Sequence, residues 1–568
     1  MHKLKICVFF CLIVLMLSSC HRLFGPKTWN VKDGQAIGDG IADDTEAIQA
    51  IIKKASRGDT ILVPEGVYRV RTLILKSKVH MVGEGLLKQQ VKGETEKFTN
   101  NAQNSKRPLL KCEKISNVFI SVNAESQHEA IRLIGCKNID IQHANLKGDS
   151  TKLRSFAGIL IYDGKNINIR HTTIRNYGTG RLHTHSYQPG TGIRILGSEH
   201  INIAKSSFVR NGENGVFIHG SANVDVKDCH FSENGMSAIQ VAFGSEGVEK
   251  NYTFENNTME HNAADAIDIN NRSPSAYLDI NCLIKNNLAR NNGFVNGQST
   301  PDGSGIATLI NVSGVKIIDN IAEDNNRPAI YLESCGSIYA TGNTADNQVE
   351  IVKELEDATF YDNSFGSIYL LANVEAKKIT VENNKLRVIH LPNDIKVDSL
   401  LIQNNAFSAA NFNFNLHGKA WLTGNQIQNK GERVTIMVNN MDSMYIGNND
   451  IYSEKSNAIL IKHSSKHTAI VDNRIEASNA CIQDEGSHRL LISGNTLTSL
   501  AHGSSRHTVL SFQPDQLRLI KNKHKGARGS TAILLSGTGT AHLESEEVLE
   551  GKTDFGKVEV RCIDLDCQ

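Results

Sequence analysis

Short runs in which apolar and polar positions alternate recur along this chain. Gly192-Ile-Arg-Ile is followed by Gly215-Val-Phe-Ile-His, Ala238-Ile-Gln-Val, Ala266-Ile-Asp-Ile-Asn, Gly305-Ile-Ala-Thr-Leu and Ala329-Ile-Tyr-Leu-Glu. A period of two marks a strand with one buried face. Each run leads to a second strand and then to a turn with Asn, at Asn176, Asn211, Asn234, Asn262, Asn291, Asn325 and Asn347. Another series, Asn320, Asn343, Asn363, Asn384, Asn405, Asn425, Asn449, Asn473 and Asn495, recurs every 20 to 24 residues. A unit this short cannot bury its own apolar face, so each strand must pair with its equivalent one turn away. The pattern predicts an all-β chain wound as a right-handed parallel β-helix. Asn suits the corners because it tolerates the left-handed backbone region and its amide can bond the Asn above and below.

One segment departs from period two. Asp43 and Asp44 open a helix with Glu46 placed as in a capping box, and Ile48, Ile51, Ile52 and Ala55 make one apolar stripe. Such a helix covers the first rung, which would otherwise be a sticky edge. Around it stand Trp29-Asn-Val-Lys-Asp-Gly, Gly38-Asp-Gly-Ile-Ala-Asp-Asp-Thr-Glu-Ala-Ile-Gln, Val63-Pro-Glu-Gly-Val-Tyr and Gly83-Glu-Gly. These motifs, over about residues 28 to 85, resemble the opening of the pectate-lyase superfamily. A looser repeat resemblance continues to about residue 530. The resemblance implies the β-helix fold and leaves the reaction open, because the superfamily includes lyases, epimerases, hydrolases and phage tailspikes.

The first residues change the compartment. His2, Lys3 and Lys5 precede an apolar run from Ile6 to Leu17, and Leu17-Ser-Ser-Cys20 follows. This is a signal-peptide layout, too short in its apolar core to span a bilayer. Its end resembles the bacterial lipobox, which implies acylation of Cys20 and a lipid-anchored protein of the bacterial envelope, at the outer membrane or cell surface. The expected organisation is a signal peptide at 1–19, an anchor and linker at 20–27, the N-terminal cap and first rungs at 28–85, repeats at 86–530 and a C-terminal cap at 531–568.

A net charge of +1 gives no general case for nucleic acid. A monomer is expected. The cysteines from Cys112 to Cys567 lack paired CxxC spacing, which argues against zinc. Cys562 and Cys567 are placed for a disulfide, while Cys136 and Cys282 read as small interior residues.

Taking Ile193, Val216, Ile239, Ile267, Ile306 and Ile330 as inward fixes what faces out. One outward row reads Leu160, Arg194, Phe217, Gln240, Asp268, Ala307 and Tyr331. The next reads Tyr162, Leu196, His219, Ala242, Asn270, Leu309 and Glu333. A slip of one residue would invert this assignment. Asp268, His219, Arg194 and Tyr331 are the candidate catalytic residues, with Gln240, Asn270, Arg272, Glu333, Arg181, His183 and Tyr187 as candidate substrate contacts. Four insertions flank the same strands: Gly178 to Gly190, Phe243 to Asn251, Asn271 to Tyr277, and Asn292 to Ser304. Long loops on a regular scaffold usually carry function. His183 and His185 lack a third ligand at metal spacing, and no cofactor is expected; calcium is possible, but no signature for it is found.

Three classes fit. A lyase or C5-epimerase on uronate-containing polysaccharide needs a group to neutralise the carboxylate and a base for the C5 proton. Arg194, Arg272, His219 and Tyr331 supply those types, although the Asp-Pro-His-Glu motif of the mannuronan epimerases is absent. An inverting glycoside hydrolase would use Asp268 and Glu333, two rungs or roughly 10 Å apart. A non-catalytic glycan-binding solenoid would keep the aromatics without needing Asp268.

Overall fold

The computed structural model describes residues 25–91, 107–148, 156–178, 190–243, 249–271, 277–301, 303–393, 395–462, 465–500, 506–526 and 529–563. Cys20 and the leader, Arg181, His183, His185, Tyr187 and Arg272 lie outside them. The chain forms two compact units, Met1–Gln240 and Val241–Gln568. Both are built from rungs of short parallel strands.

In the first unit the cap comes before the rungs. Helix Thr45–Lys54 buries Ile48, Ile51 and Ile52, and Ala55 just after it is buried too. The capping box expected of Glu46 does not form. Asp43 Oδ1 instead accepts from Thr45 N at 3.1 Å, and Glu46 meets the Arg71 guanidinium at 3.1 Å. The Asp44 carboxylate takes the N–H groups of Ile37 and Gly38 at 2.6 and 3.2 Å. Gly83 sits at φ 144°, where a Cβ would lie 1.9 Å from the Val63 carbonyl oxygen. Only glycine fits so close a backbone approach.

The rungs stack in strict register. Ile131, Ile159, Ile193 and Val216 pair in one column, with Arg132, Leu160, Arg194 and Phe217 beside them. In the second unit the matching column runs Asp268, Thr308, Tyr331, Glu350, Tyr369 and His390. Here the expected register slips once. Ala307, not Ile306, fills the inward place, and Thr308 and Ile310 take the outward places given to Ala307 and Leu309. The insertion Asn292 to Ser304 feeds the chain into this strand one residue later, so Gly305-Ile does not align with Ala266-Ile.

The long Asn series is a ladder. From Asn257 through Asn287, Asn320, Asn343 and Asn363, each side-chain amide donates to the next Asn Oδ1 at 2.9–3.0 Å. It continues from Asn363 through Asn384, Asn405, Asn425, Asn449, Asn473 and Asn495 to Asn522, which donates to Glu546. The left-handed conformation belongs to the residue before each ladder Asn, among them Asn256, Asn286, Asp319, Asp362, Asn383 and Asn404. In the shorter series Asn292 is the ladder member, bonded to Asn262 and Asn325, and Asn291 supplies the φ of 53°. Two adjacent positions thus divide the roles expected of one Asn.

Rungs extend into the stretch expected as a C-terminal cap. Strand Thr540–Glu544 pairs in parallel with Glu559–Ile563. Cys112, Cys136, Cys229, Cys282, Cys335 and Cys481 are buried free thiols, and Cys562 is disulfide-bonded to a partner outside the described residues. No described helix is long and apolar enough to cross a membrane.

Candidate functional site

The expected constellation is divided between the two units, and each part has its own geometry. In the first, Arg194 follows inward Ile193 and should face water, yet it is only 3% exposed. Its Nη2 donates to Glu213 Oε1 at 2.7 Å and to Thr191 Oγ1 at 3.3 Å. Thr191 also bonds Glu213, and the guanidinium lies 4.3 Å from the centre of the Phe217 ring. Glu213 is 1% exposed. Two buried opposite charges in this geometry are committed to each other. Arg194 is therefore buried in an ion pair and does not face water as expected of the outward row. Asn214, also buried, donates to Gln240 Oε1 at 2.8 Å, which fixes the Gln240 amide. His219 is exposed at the end of its strand.

In the second unit Asp268, Thr308 and Tyr331 occupy one outward row, half-buried, on successive rungs about 4.8 Å apart. A carboxylate that sequence reasoning missed sits beside them. Asp265, 7% exposed, accepts from Ser304 N at 2.8 Å and Thr308 Oγ1 at 2.9 Å. It pins the end of the 292–304 insertion to the row. The available signal was Asp265-Ala-Ile-Asp268, two acids bracketing the strand start.

Asn270 is half-buried one row along from Asp268 and pairs with Ile310, which pairs with Glu333. The Tyr331 hydroxyl donates to Glu333 Oε2 at 2.8 Å, and the Lys353 ammonium bonds the other oxygen. Burial, the bond to Glu333 and the nearby Glu350 charge push the Tyr331 phenol well above its ordinary value. It holds its proton at neutral pH. Burial alone would raise Glu333, but Lys353 and Tyr331 outweigh it and hold the carboxyl below its ordinary value. Among the described residues no group of three or more His, Cys, Asp or Glu side chains could hold a metal ion.

Residues 28–287 match the family described as rhamnogalacturonase A/epimerase, pectate lyase-like, and residues 247–389 match the right-handed beta helix region. The chain carries a pectate-lyase-like domain and a right-handed β-helix region. It is similar to the mannuronan C5-epimerase AlgE2 of Azotobacter vinelandii, 47% identical over 68 residues. That stretch is 10% of this chain and 7% of the epimerase. It is also similar to alginate lyase 7 of Azotobacter vinelandii, 36% identical over 116 residues, or 18% of this chain and 11% of the lyase. The chain thus spans only a small part of these curated relatives. Among solved β-helices, the exopolygalacturonase of Thermotoga maritima aligns over 62% of this chain and 91% of its own, at 16% identity and a TM-score of 0.39.

Proposed function

We propose that this protein is a carbohydrate-active enzyme that acts on uronate-containing polysaccharide as a lyase or C5-epimerase. The observation that carries the reading is the in-register row Asp268, Thr308, Tyr331, braced by Asp265. Both reactions begin by removing the C5 proton of a uronate, which needs a base, a proton donor and a cation near the sugar carboxylate. Asp268 supplies the base. Tyr331 keeps its proton, and would serve as the donor once its bond to Glu333 is exchanged for one to the substrate. Arg327 is exposed close enough to Tyr331 for its charge to act on the phenol, and it takes the carboxylate-neutralising role once assigned to Arg194. The short similarities to an alginate lyase and to mannuronan epimerases favour the same chemistry.

The hydrolase reading is weaker for two reasons. Asp268 and Glu333 stand two rungs apart, and both oxygens of the Glu333 carboxylate are already taken up, by Tyr331 and Lys353. Glu333 is also held ionised, which is wrong for a general acid. Export and anchoring at Cys20 belong to the same proposal, since large polysaccharides are met outside the cell.

The test is incubation of purified protein with polymannuronate, polygalacturonate and neutral glucans. Unsaturated ends absorbing in the ultraviolet would identify a lyase, and inverted C5 signals by NMR without cleavage an epimerase. New reducing ends without unsaturation would replace this reading with hydrolysis. Retention on glycan without turnover would replace it with binding.

A further inference from the structure

A cleft of about 690 Å³ opens in the second unit, away from the Asp268 strand and towards the C-terminus. Tyr369, Lys385, Arg387, Gln426 and Gln428 are among its lining residues, with small side chains such as Ser364, Ala406 and Ser408 between them. The small residues make the cleft. On neighbouring rungs the same outward positions carry longer side chains, including Asp450, Arg474, Tyr452 and Glu476.

Its charge is uncommitted. Some outward cations of this unit reach a carboxylate on an adjacent rung, as Lys377 does Glu356 at 2.7 Å, Lys462 Glu485 at 2.7 Å and Lys466 Asp442 at 2.6 Å, while others, Lys316 and Lys378 among them, do not. Lys385 and Arg387 are exposed and make no ion pair or side-chain hydrogen bond with any described residue. The one acid of the lining, Asp346, gives an oxygen to Asp324 N at 2.8 Å. Gln426 and Gln428 likewise keep their amides unbonded among the described residues. The cleft therefore offers two cations, two amides and the accessible part of Tyr369, whose ring lies 5.1 Å from that of His390 on the next rung. A cleft this size holds a few sugar residues. An ammonium and a guanidinium suit carboxylates, amides suit hydroxyls, and the tyrosine offers an apolar body with a polar tip.

The cleft also joins the row described above. Tyr369 pairs in register with Glu350, which pairs with Tyr331, and Gln348 of the lining donates to Glu350 at 2.9 Å. We infer that this cleft is a binding site for a stretch of acidic polysaccharide, whose uronate carboxylates are taken by Lys385 and Arg387 while the chain runs on towards Tyr331. The inference rests on the uronate reading for its ligand class, but not on any reaction at Asp268.

The experiment is calorimetric titration of the full chain, carrying Asp268→Asn to prevent turnover, with hexasaccharides of galacturonate, mannuronate and neutral glucose. The cleft variant adds Lys385→Glu and Arg387→Glu, both at exposed positions, with retained folding checked by melting. Binding of at least one acidic hexasaccharide, weakened about tenfold or more by the cleft variant, is expected. The neutral hexasaccharide should bind more weakly and be indifferent to the variant. Three outcomes would overturn the inference: acidic ligands bound equally by both proteins, neutral and acidic ligands bound equally by the parent, or none bound. Turnover by the unmodified chain is scored separately. An inactive protein that still binds through Lys385 and Arg387 refutes the enzyme, not the cleft.

Discussion

Arg194 and Asp268 each follow an inward Ile in a strand of the same kind, yet their surroundings give them different work. Removing Arg194 would strand Glu213 as a buried charge. Arg194→Ala should therefore lower stability by about 3–5 kcal/mol, read by chemical denaturation, rather than act on acidic substrates selectively. Asp268→Asn keeps size and removes charge. It should lower turnover at least about 10²-fold on whichever substrate the parent converts, with melting unchanged. Near-normal turnover would move the active site elsewhere on the solenoid. A third carboxyl, Asp484, is 1% exposed and accepts from Ser487 N at 2.9 Å and Ser511 Oγ at 2.7 Å. Burial raises its pKa above the ordinary carboxyl value despite those bonds. Because the folded pKa is the higher one, its stabilising contribution is present below about pH 3.9 and is lost as pH rises through the folded value. Asp484→Asn can keep both bonds, so the melting temperature of the variant should fall less between pH 4 and pH 8 than that of the parent.

At the scale of elements, the Asn ladder concentrates stability at one corner of every rung. Asn363 donates to Ala340 O, Tyr361 O and Asn384 Oδ1, and its own oxygen accepts from Asn343. Asn363→Ala would leave several buried groups unsatisfied, at about 3 kcal/mol or more in total. Asn383 precedes ladder member Asn384 and holds φ 59°. Its replacement by Ala should cost only about 1 kcal/mol, the penalty for a left-handed alanine. Equal losses in urea unfolding would mean that the ladder bonds contribute little beyond the turn. The same corner explains what periodicity could reveal. A repeat of Asn was legible in the sequence, but assigning one residue to two jobs was an error of phase. It was invisible until the backbone separated Asn291 from Asn292.

For the whole molecule, the parallel stack has one consequence that the leader extends. Within the second unit the Asp268 row and the Lys385 cleft belong to one stack of parallel rungs, and acylation at Cys20 would tether the chain that carries them to a membrane. Cys20→Ala should leave unprocessed precursor or protein lost from the detergent phase on phase partitioning. Unchanged processing and unchanged partitioning would remove the anchor from the account.

Fold class, rung length, the cap helix and the buried thiols were determined by the sequence alone. Alternation and recurrence are properties of the chain, and burial of a repeating apolar face has few solutions. Tertiary structure decided the rest. Whether Arg194 faces water depended on Glu213 from the next turn, and the place of Thr308 depended on how an insertion re-enters the stack. The Lys385 cleft arises because small residues on successive rungs fall side by side, while among the described residues no carboxylate pairs with Lys385 or Arg387. Which residues become neighbours, and which charges go unanswered, is settled only when the rungs close on one another.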